Sequence, residues 1–153
     1  MTVFSRLLLA PALFALAIPA AIAAPHASST EAQGLLDRAV VELTKEGPAK
    51  AFAEFSDPKA GFAHKDLYVF VFNTKGVYEA TGANPKLIGT SAIDMTDAEG
   101  KLLVQAIIAS VKDQPEGRVD YVWLNRADNR VEHKVSLVRR VGDHIVGVGY
   151  YKG

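Results

Sequence analysis

The sequence contains no cysteine. This absence excludes disulfide bonds, thiol catalysis, cysteine metal sites and lipid attachment through an N-terminal cysteine. An excess of charge of one sign is also lacking, because 17 Lys and Arg residues balance 17 Asp and Glu residues. A balanced charge gives no electrostatic reason to expect nucleic acid or an anionic membrane surface as a partner.

Recognisable catalytic motifs are missing as well. The four histidines show no H-E-x-x-H spacing, and no G-x-S-x-G nucleophile elbow occurs. The G-x-G in "GVGYYKG" has no helix after it, so small residues in a core strand explain it better than a nucleotide-binding turn. The acidic residues Asp94, Asp97 and Glu99 lack the alternating ligands of a calcium loop and indicate the start of a helix. We therefore predict a protein that is not an enzyme and has neither a cofactor nor a metal site.

Long apolar runs are lacking except at the N-terminus. "MTVFSRLLLAPALFALAIPAAIAA" holds Arg6, an apolar run over 7–18 and an A-x-A site that ends at Ala23, which is the pattern of a cleaved signal peptide over 1–23. A retained membrane anchor is the alternative, but the run contains a proline and is shorter than the roughly 20 residues that a span needs. Cleavage leaves residues 24–153, which suit a single periplasmic domain with a formal charge of −1.

The rest of the chain alternates between helical and strand patterns. Apolar residues at helical spacing predict a long first helix over about 30–45, capped by Ser28 with Glu31 or by Thr30 with Gln33. The fold class is α+β, a five-stranded antiparallel sheet with the long N-terminal helix packed on it. The other predicted elements are a short helix from Pro48, strands 67–72 and 77–81, a helix over about 97–113 capped by Asp97, and strands 118–124, 131–141 and 144–151.

The strand "VEHKVSLVRR" carries a lysine among strand-forming residues. Lys134 shares a face with Ser136, and the preceding strand places Tyr121 and Trp123 on one face, whereas His133 points the other way. Aromatic side chains beside a cation form a good site for a small anion or carboxylate. An alternative stays open, because Tyr and Trp commonly fill cores and Lys134 would also suit an exposed sheet face that reaches solvent.

From about residue 66 to residue 151 the chain resembles a single-Cache domain of type 2, an extracytoplasmic sensor module of bacterial chemoreceptors and histidine kinases. The resemblance rests on the order of the segments "NPKLIG", "DAEGK", "VDYVW", "KVS" and "GVGYY", and no single segment is specific alone. It implies a PAS-like core over about 66–151 that follows the family's long N-terminal helix. This fold agrees with the α+β pattern of predicted helices and strands.

The resemblance also implies a pocket for a small organic ligand between the sheet and the loops that cover one face. In this family the ligand is often an organic acid, so we expect it to carry a carboxylate. In this hypothesis Lys134 pairs with the carboxylate, Tyr121 donates a hydrogen bond and Trp123 forms a wall. Two departures from the family pattern, Thr81 and Leu137, predict that the ligand is not held in the usual way. The implied ligand-binding residues are Tyr121, Trp123, Lys134, Ser136, Asn84 on the covering loop and Tyr68 on the first long strand.

The chain ends at Gly153 without an output domain, so we expect a free-standing exported sensor that acts in signal transduction such as chemotaxis. Expected partners are the small ligand, a membrane receptor or sensor kinase and, through the N-terminal helix, a second copy of the chain. An interaction or structural module that keeps the fold without a ligand is the alternative. A small α+β enzyme is a third hypothesis, but Asp120 points away from the face of Tyr121 that it would need to share.

Overall fold

The structure is a computed structural model that describes residues 26–152, so the predicted signal peptide lies outside the described residues. Within this range no helix combines the length and the hydropathy needed to cross a bilayer. The longer elements follow the predicted order. They are the helices α1 (Ser29–Glu46), α2 (Pro48–Ser56) and α3 (Leu103–Ser110), a 3-10 turn (Pro85–Leu87), and the strands β1 (Ala63–His64), β2 (Leu67–Asn73), β3 (Tyr78–Thr81), β4 (Glu116–Asn125), β5 (Arg130–Val141) and β6 (His144–Tyr151).

The start of α1 confirms the first of the two predicted caps. The Ser28 hydroxyl accepts a hydrogen bond from the Glu31 N–H, and the Glu31 carboxylate accepts one from the Ser28 N–H at 2.7 Å. Gly47 ends α1 with a φ of +80°, a conformation that residues with a side chain rarely adopt. Pro48 then opens α2 in the first turn, where its missing N–H costs no hydrogen bond.

One antiparallel sheet holds all the strands. The order is β1-β2-β6-β5-β4, and β3 also pairs with β2, so β2 is an internal strand and β6 is the middle one. The registers of β4, β5 and β6 place Tyr121, Lys134 and Tyr151 side by side. The five longer strands and the packed N-terminal helix confirm the predicted α+β class.

The two faces of the sheet bury separate cores. Alternating residues of β2 point to opposite faces, so Val69 and Val71 pack under α1 and α2, whereas Phe70 and Phe72 pack under α3. The core under α1 and α2, called the helix-side core, also contains Leu36, Leu43, Phe55 and Val148. The core under α3, called the α3-side core, also contains Leu103, Ile107, Val138 and Ile145.

The predicted helix over 97–113 is wrong at its start. α3 begins at Leu103, and Asp97 does not cap it. The buried Asp97 carboxylate instead accepts hydrogen bonds from the backbone N–H groups of Glu99, Lys101 and Val122 at 2.8 to 3.0 Å. These bonds hold residues 97–101 in a turn against β4, because a short acidic side chain bonds nearby backbone as readily in a turn as at a cap.

Candidate functional site

A cavity of about 50 Å³ lies between the inner face of the sheet and the segments that cover it. The sheet contributes side chains from β2, β3 and β4, and the cover consists of α3 and the loops around Asn84, Met95 and Arg126. Its walls are mainly aromatic and aliphatic, with a few polar groups. A concave apolar site with a small number of polar groups is the usual form of a ligand pocket.

The structure brings four of the six predicted site residues to this cavity. They are Tyr68, Asn84, Tyr121 and Trp123. The other two, Lys134 and Ser136, share the same sheet face but lie one layer behind the cavity wall, where they contact the tyrosines that form it. Direct contact between Lys134 and a molecule in this cavity would therefore need Tyr68 to move.

Lys134 is buried, with only 1% of its surface exposed, so the alternative of a lysine that reaches solvent is wrong. Its ammonium lies 4.4 Å from the ring centroids of both Tyr68 and Tyr151. It donates hydrogen bonds to their hydroxyl oxygens at 3.2 and 3.3 Å. Burial lowers the pKa of Lys134 to about 7, and the negative charge of Asp66 offsets only part of this effect.

The glycines of "GVGYY" make the room that this face needs. A Cβ on Gly149 would stand 2.5 Å from Cε of Lys134 and 2.9 Å from Oγ of Ser136. A Cβ on Gly147 would stand 2.2 Å from the ring of Phe70. The G-x-G therefore serves close packing in a core strand, as the sequence indicated, and leaves space for the lysine stem.

The tyrosines around the lysine stay protonated at neutral pH. Burial raises the pKa of Tyr68 to about 12, although the positive charge of Arg126 opposes the rise. Burial also raises the pKa of Tyr121 and of Tyr151 well above the usual value. The Tyr121 hydroxyl lies 2.9 Å from the Ser136 hydroxyl, and Tyr151 donates to the carbonyl of Leu124 at 2.9 Å. The cavity wall thus offers hydroxyl groups, not phenolates.

The model of the Single Cache domain 2 family matches residues 19–152. The chain belongs to this family. Membership confirms the resemblance drawn from the ordered motifs, and because the family consists of sensor domains it also confirms that the protein is not an enzyme. No curated protein matches the chain.

Solved Cache structures share the fold. A methyl-accepting chemotaxis protein from Vibrio parahaemolyticus has a TM-score of 0.69 at 17% identity, with 80% of this chain and 86% of that chain covered. A periplasmic sensor domain of a chemotaxis protein has a TM-score of 0.62 at 23% identity, with 81% of this chain and 90% of that chain covered. A Cache chemosensory domain whose structure was described for carboxylic acid recognition has a TM-score of 0.62 at 21% identity, with 81% of this chain and 88% of that chain covered. These similarities establish the PAS-like Cache fold.

Several residues of the cavity were not predicted from the sequence of this Cache domain. Arg126, in the loop between β4 and β5, lines the cavity beside Tyr78 and Met95. Its position three residues after the inward-facing Trp123 was the available signal, but the loop "NRADNR" carries two arginines and the pattern does not distinguish them. Only the fold shows that Arg126, an exposed loop residue, lines the cavity.

The two departures from the Cache pattern have different consequences. Thr81 is 2% exposed and lines the cavity, and its hydroxyl accepts a hydrogen bond from the N–H of Ala83 at 3.2 Å. Leu137 packs against the helix-side core, on the opposite face of the sheet. The expectation that Leu137 alters the ligand site is therefore wrong, because neighbouring residues on a strand point to opposite faces.

Proposed function

We propose that this Cache domain is an exported sensor that binds a small carboxylate-bearing ligand in the cavity between β2, β4 and α3. One observation carries the proposal. Arg126 and Tyr68 line an otherwise mainly apolar, aromatic cavity, and the buried Lys134 lies behind it with a hydrogen bond to the Tyr68 hydroxyl. A carboxylate needs cationic or hydroxyl donors when water is removed from it. This combination supplies them beside an apolar surface for the rest of the ligand.

The proposed ligand is short. A cavity of about 50 Å³ is far below the roughly 300–1,000 Å³ of pockets for drug-sized ligands, so it suits only a small molecule. A carboxylic acid of about two to four carbons is the class that fits with small side-chain adjustments. The Cache chemosensory domain that recognises a carboxylic acid supports the same class of ligand.

In the proposed complex, Arg126 pairs with the carboxylate and Tyr68 donates a hydrogen bond to it. Lys134 does not contact the ligand directly. Its ammonium donates a hydrogen bond to the hydroxyl oxygen of Tyr68 and so makes that hydroxyl a stronger donor to the carboxylate. Trp123 forms an apolar wall and Asn84 contributes an amide from the covering loop. The hydroxyl groups of Tyr121 and Ser136 share a hydrogen bond, which holds this part of the cavity wall in position.

We further propose that residues 1–23 direct the chain to the periplasm and are removed, which leaves one Cache domain over 24–153. The periplasmic sensor domain of a chemotaxis protein, which shares the fold, supports this location. A ligand signal would then reach a membrane receptor or sensor kinase. The outer face of α1, where Val41 is 62% exposed, is the surface proposed for a second copy of the chain.

The test is calorimetric titration of the purified protein with straight-chain carboxylates of two to six carbons, and with the matching alcohols. We expect the shortest acids to bind and the alcohols not to bind. Arg126→Gln should raise the Kd about 10- to 100-fold, because hydrogen bonds to charged groups contribute roughly 1.5–3 kcal/mol.

Arg130→Gln is the matched control. Arg130 belongs to the same hairpin and lies near Glu132 at 3.9 Å, but it does not line the cavity. Its replacement should leave the Kd unchanged. Equal losses in both arginine variants would contradict the proposed role of Arg126, because they would indicate a nonspecific effect of charge.

A module that keeps the Cache fold without a small ligand is the second candidate. The small cavity favours it, since ligand pockets usually measure roughly 300–1,000 Å³. Melting temperatures that no acid, alcohol or amine raises, at millimolar concentration and with a folded protein, would support this candidate over the first.

A further inference from the structure

A second cluster of polar side chains lies outside the cavity. It brings together His26 just before α1, Asp128 in the loop between β4 and β5, and Glu132 near the start of β5. One ligand atom from each residue lies within 4.8 Å of the other two, and all three side chains are partly buried. Asp128 and Glu132 are four residues apart, but His26 lies far from both in the sequence, so no motif spacing could reveal the set.

The imidazole of His26 is oriented by a carboxylate outside the cluster. Its Nδ1 lies 2.8 Å from Oδ2 of Asp66, whose side chain is only 3% exposed. Because Asp66 accepts there, Nδ1 carries a proton, and in the neutral ring the lone pair of Nε2 faces Glu132. A carboxylate on the far ring nitrogen is the arrangement that holds most metal-binding histidines.

The distance across the cluster also fits a shared ion. His26 Nε2 lies 3.6 Å from Oε1 of Glu132, which is longer than a normal hydrogen bond. Two ligands of one tetrahedral ion with bonds of about 2.0–2.1 Å stand about 3.4 Å apart. The other Glu132 oxygen is fixed by the buried amide of Asn125 at 3.1 Å. Arg130 lies 3.9 Å from Oε1, but its side chain is 64% exposed and can turn to solvent.

We propose that His26, Asp128 and Glu132 bind a divalent transition-metal ion of the zinc class, with a fourth position open to water. An imidazole with two carboxylates suits zinc, whereas calcium and magnesium prefer all-oxygen sites. Two carboxylates facing the two ring nitrogens need positive charge between them. A metal ion supplies that charge at Nε2.

Such an ion would connect two parts of the chain. His26 directly precedes the capped start of α1, and Asp128 lies two residues after Arg126 in the same loop. The ion would therefore hold the β4–β5 loop against the N-terminal segment. This inference does not depend on the ligand proposed for the cavity, and its test uses metal alone.

The test is calorimetric titration of the tag-free, chelator-treated protein with ZnCl₂, MnCl₂ and CaCl₂. We expect one zinc site per chain and weaker binding of calcium. His26→Gln and Glu132→Gln should each weaken zinc binding more than Asp66→Asn, whose removal of the supporting carboxylate should weaken it about 10- to 100-fold.

His133→Gln is the matched control, because His133 is the exposed neighbour of Glu132 on the opposite face of β5. Zinc binding should be unchanged in this variant. Asp128→Asn, in a loop, provides a substitution that the fold tolerates, and circular dichroism confirms folding of each variant. Absence of saturable zinc binding, or binding that persists in both His26→Gln and Glu132→Gln, would overturn the proposal.

Discussion

Lys134 shows how much a single residue depends on its three-dimensional surroundings. The strand pattern placed it on one face with Ser136 but left open whether that face is buried, and the fold shows that it is. The sequence could not show that two tyrosine rings enclose its ammonium or that Tyr68 stands between it and the cavity. Those contacts join β2, β5 and β6, and they follow from strand register and packing.

The burial of Lys134 predicts a pH dependence of stability. The unfolded chain keeps this proton up to about pH 10.5, whereas the folded protein releases it near pH 7. Between these values the unfolded state binds more protons, so stability should rise with pH by at most about 1.4 kcal/mol per pH unit. Below pH 7 both states are protonated and the contribution is constant at its least favourable level.

Urea unfolding between pH 7 and 9.5 measures this slope. The range stops there because Tyr68, with a pKa raised to about 12, lowers stability as pH rises above about 10. Lys134→Met, which keeps an unbranched apolar side chain, should remove most of the slope. The exposed Lys112→Met should keep it. A slope that survives in Lys134→Met would show that another group causes the dependence.

At the scale of the element, two glycines allow β6 to pack closely against the side chains of its neighbouring strands. Gly149→Ala would place a methyl group against Lys134 and Ser136, and overpacking of this kind costs roughly 1–3 kcal/mol. Gly34 is an exposed residue of α1 with no atom within 4 Å of an added Cβ. Gly34→Ala should therefore stabilise the protein by up to about 1 kcal/mol, since alanine favours a helix.

Chemical denaturation of both glycine variants gives the comparison. The two substitutions should change the free energy of unfolding in opposite directions. A Lys134→Ala background should reduce the penalty of Gly149→Ala, because it removes the atom closest to the added methyl group. A neutral Gly149→Ala would contradict the close packing of β6 on the lysine stem.

The elements also mark the limits of prediction from sequence. Alternation and capping were sufficient for α1 and for the three long strands of the C-terminal half. They failed for α3, because Asp97 satisfies turn and strand N–H groups whose proximity depends on the position of β4. Arg126 was missed for a similar reason, since loop side chains have no periodicity that gives their direction.

At the scale of the whole molecule, the sheet separates two functions. Its helix-side face builds a continuous apolar core with α1 and α2, and its other face holds the cavity and the buried lysine. The chain shares the Cache fold itself with the solved structures. The size of the cavity and the cation at its edge are properties of this chain, and they lead to the proposal of a short carboxylate.

The most direct test of that proposal uses the only tryptophan in the sequence. Trp123 lines the cavity, so its fluorescence reports on the site without a label. Titration with acids of two to four carbons should give a saturable change that the matching alcohols do not produce and that Arg126→Gln weakens. A folded protein whose Trp123 emission does not respond to any of these acids would contradict ligand binding in this cavity.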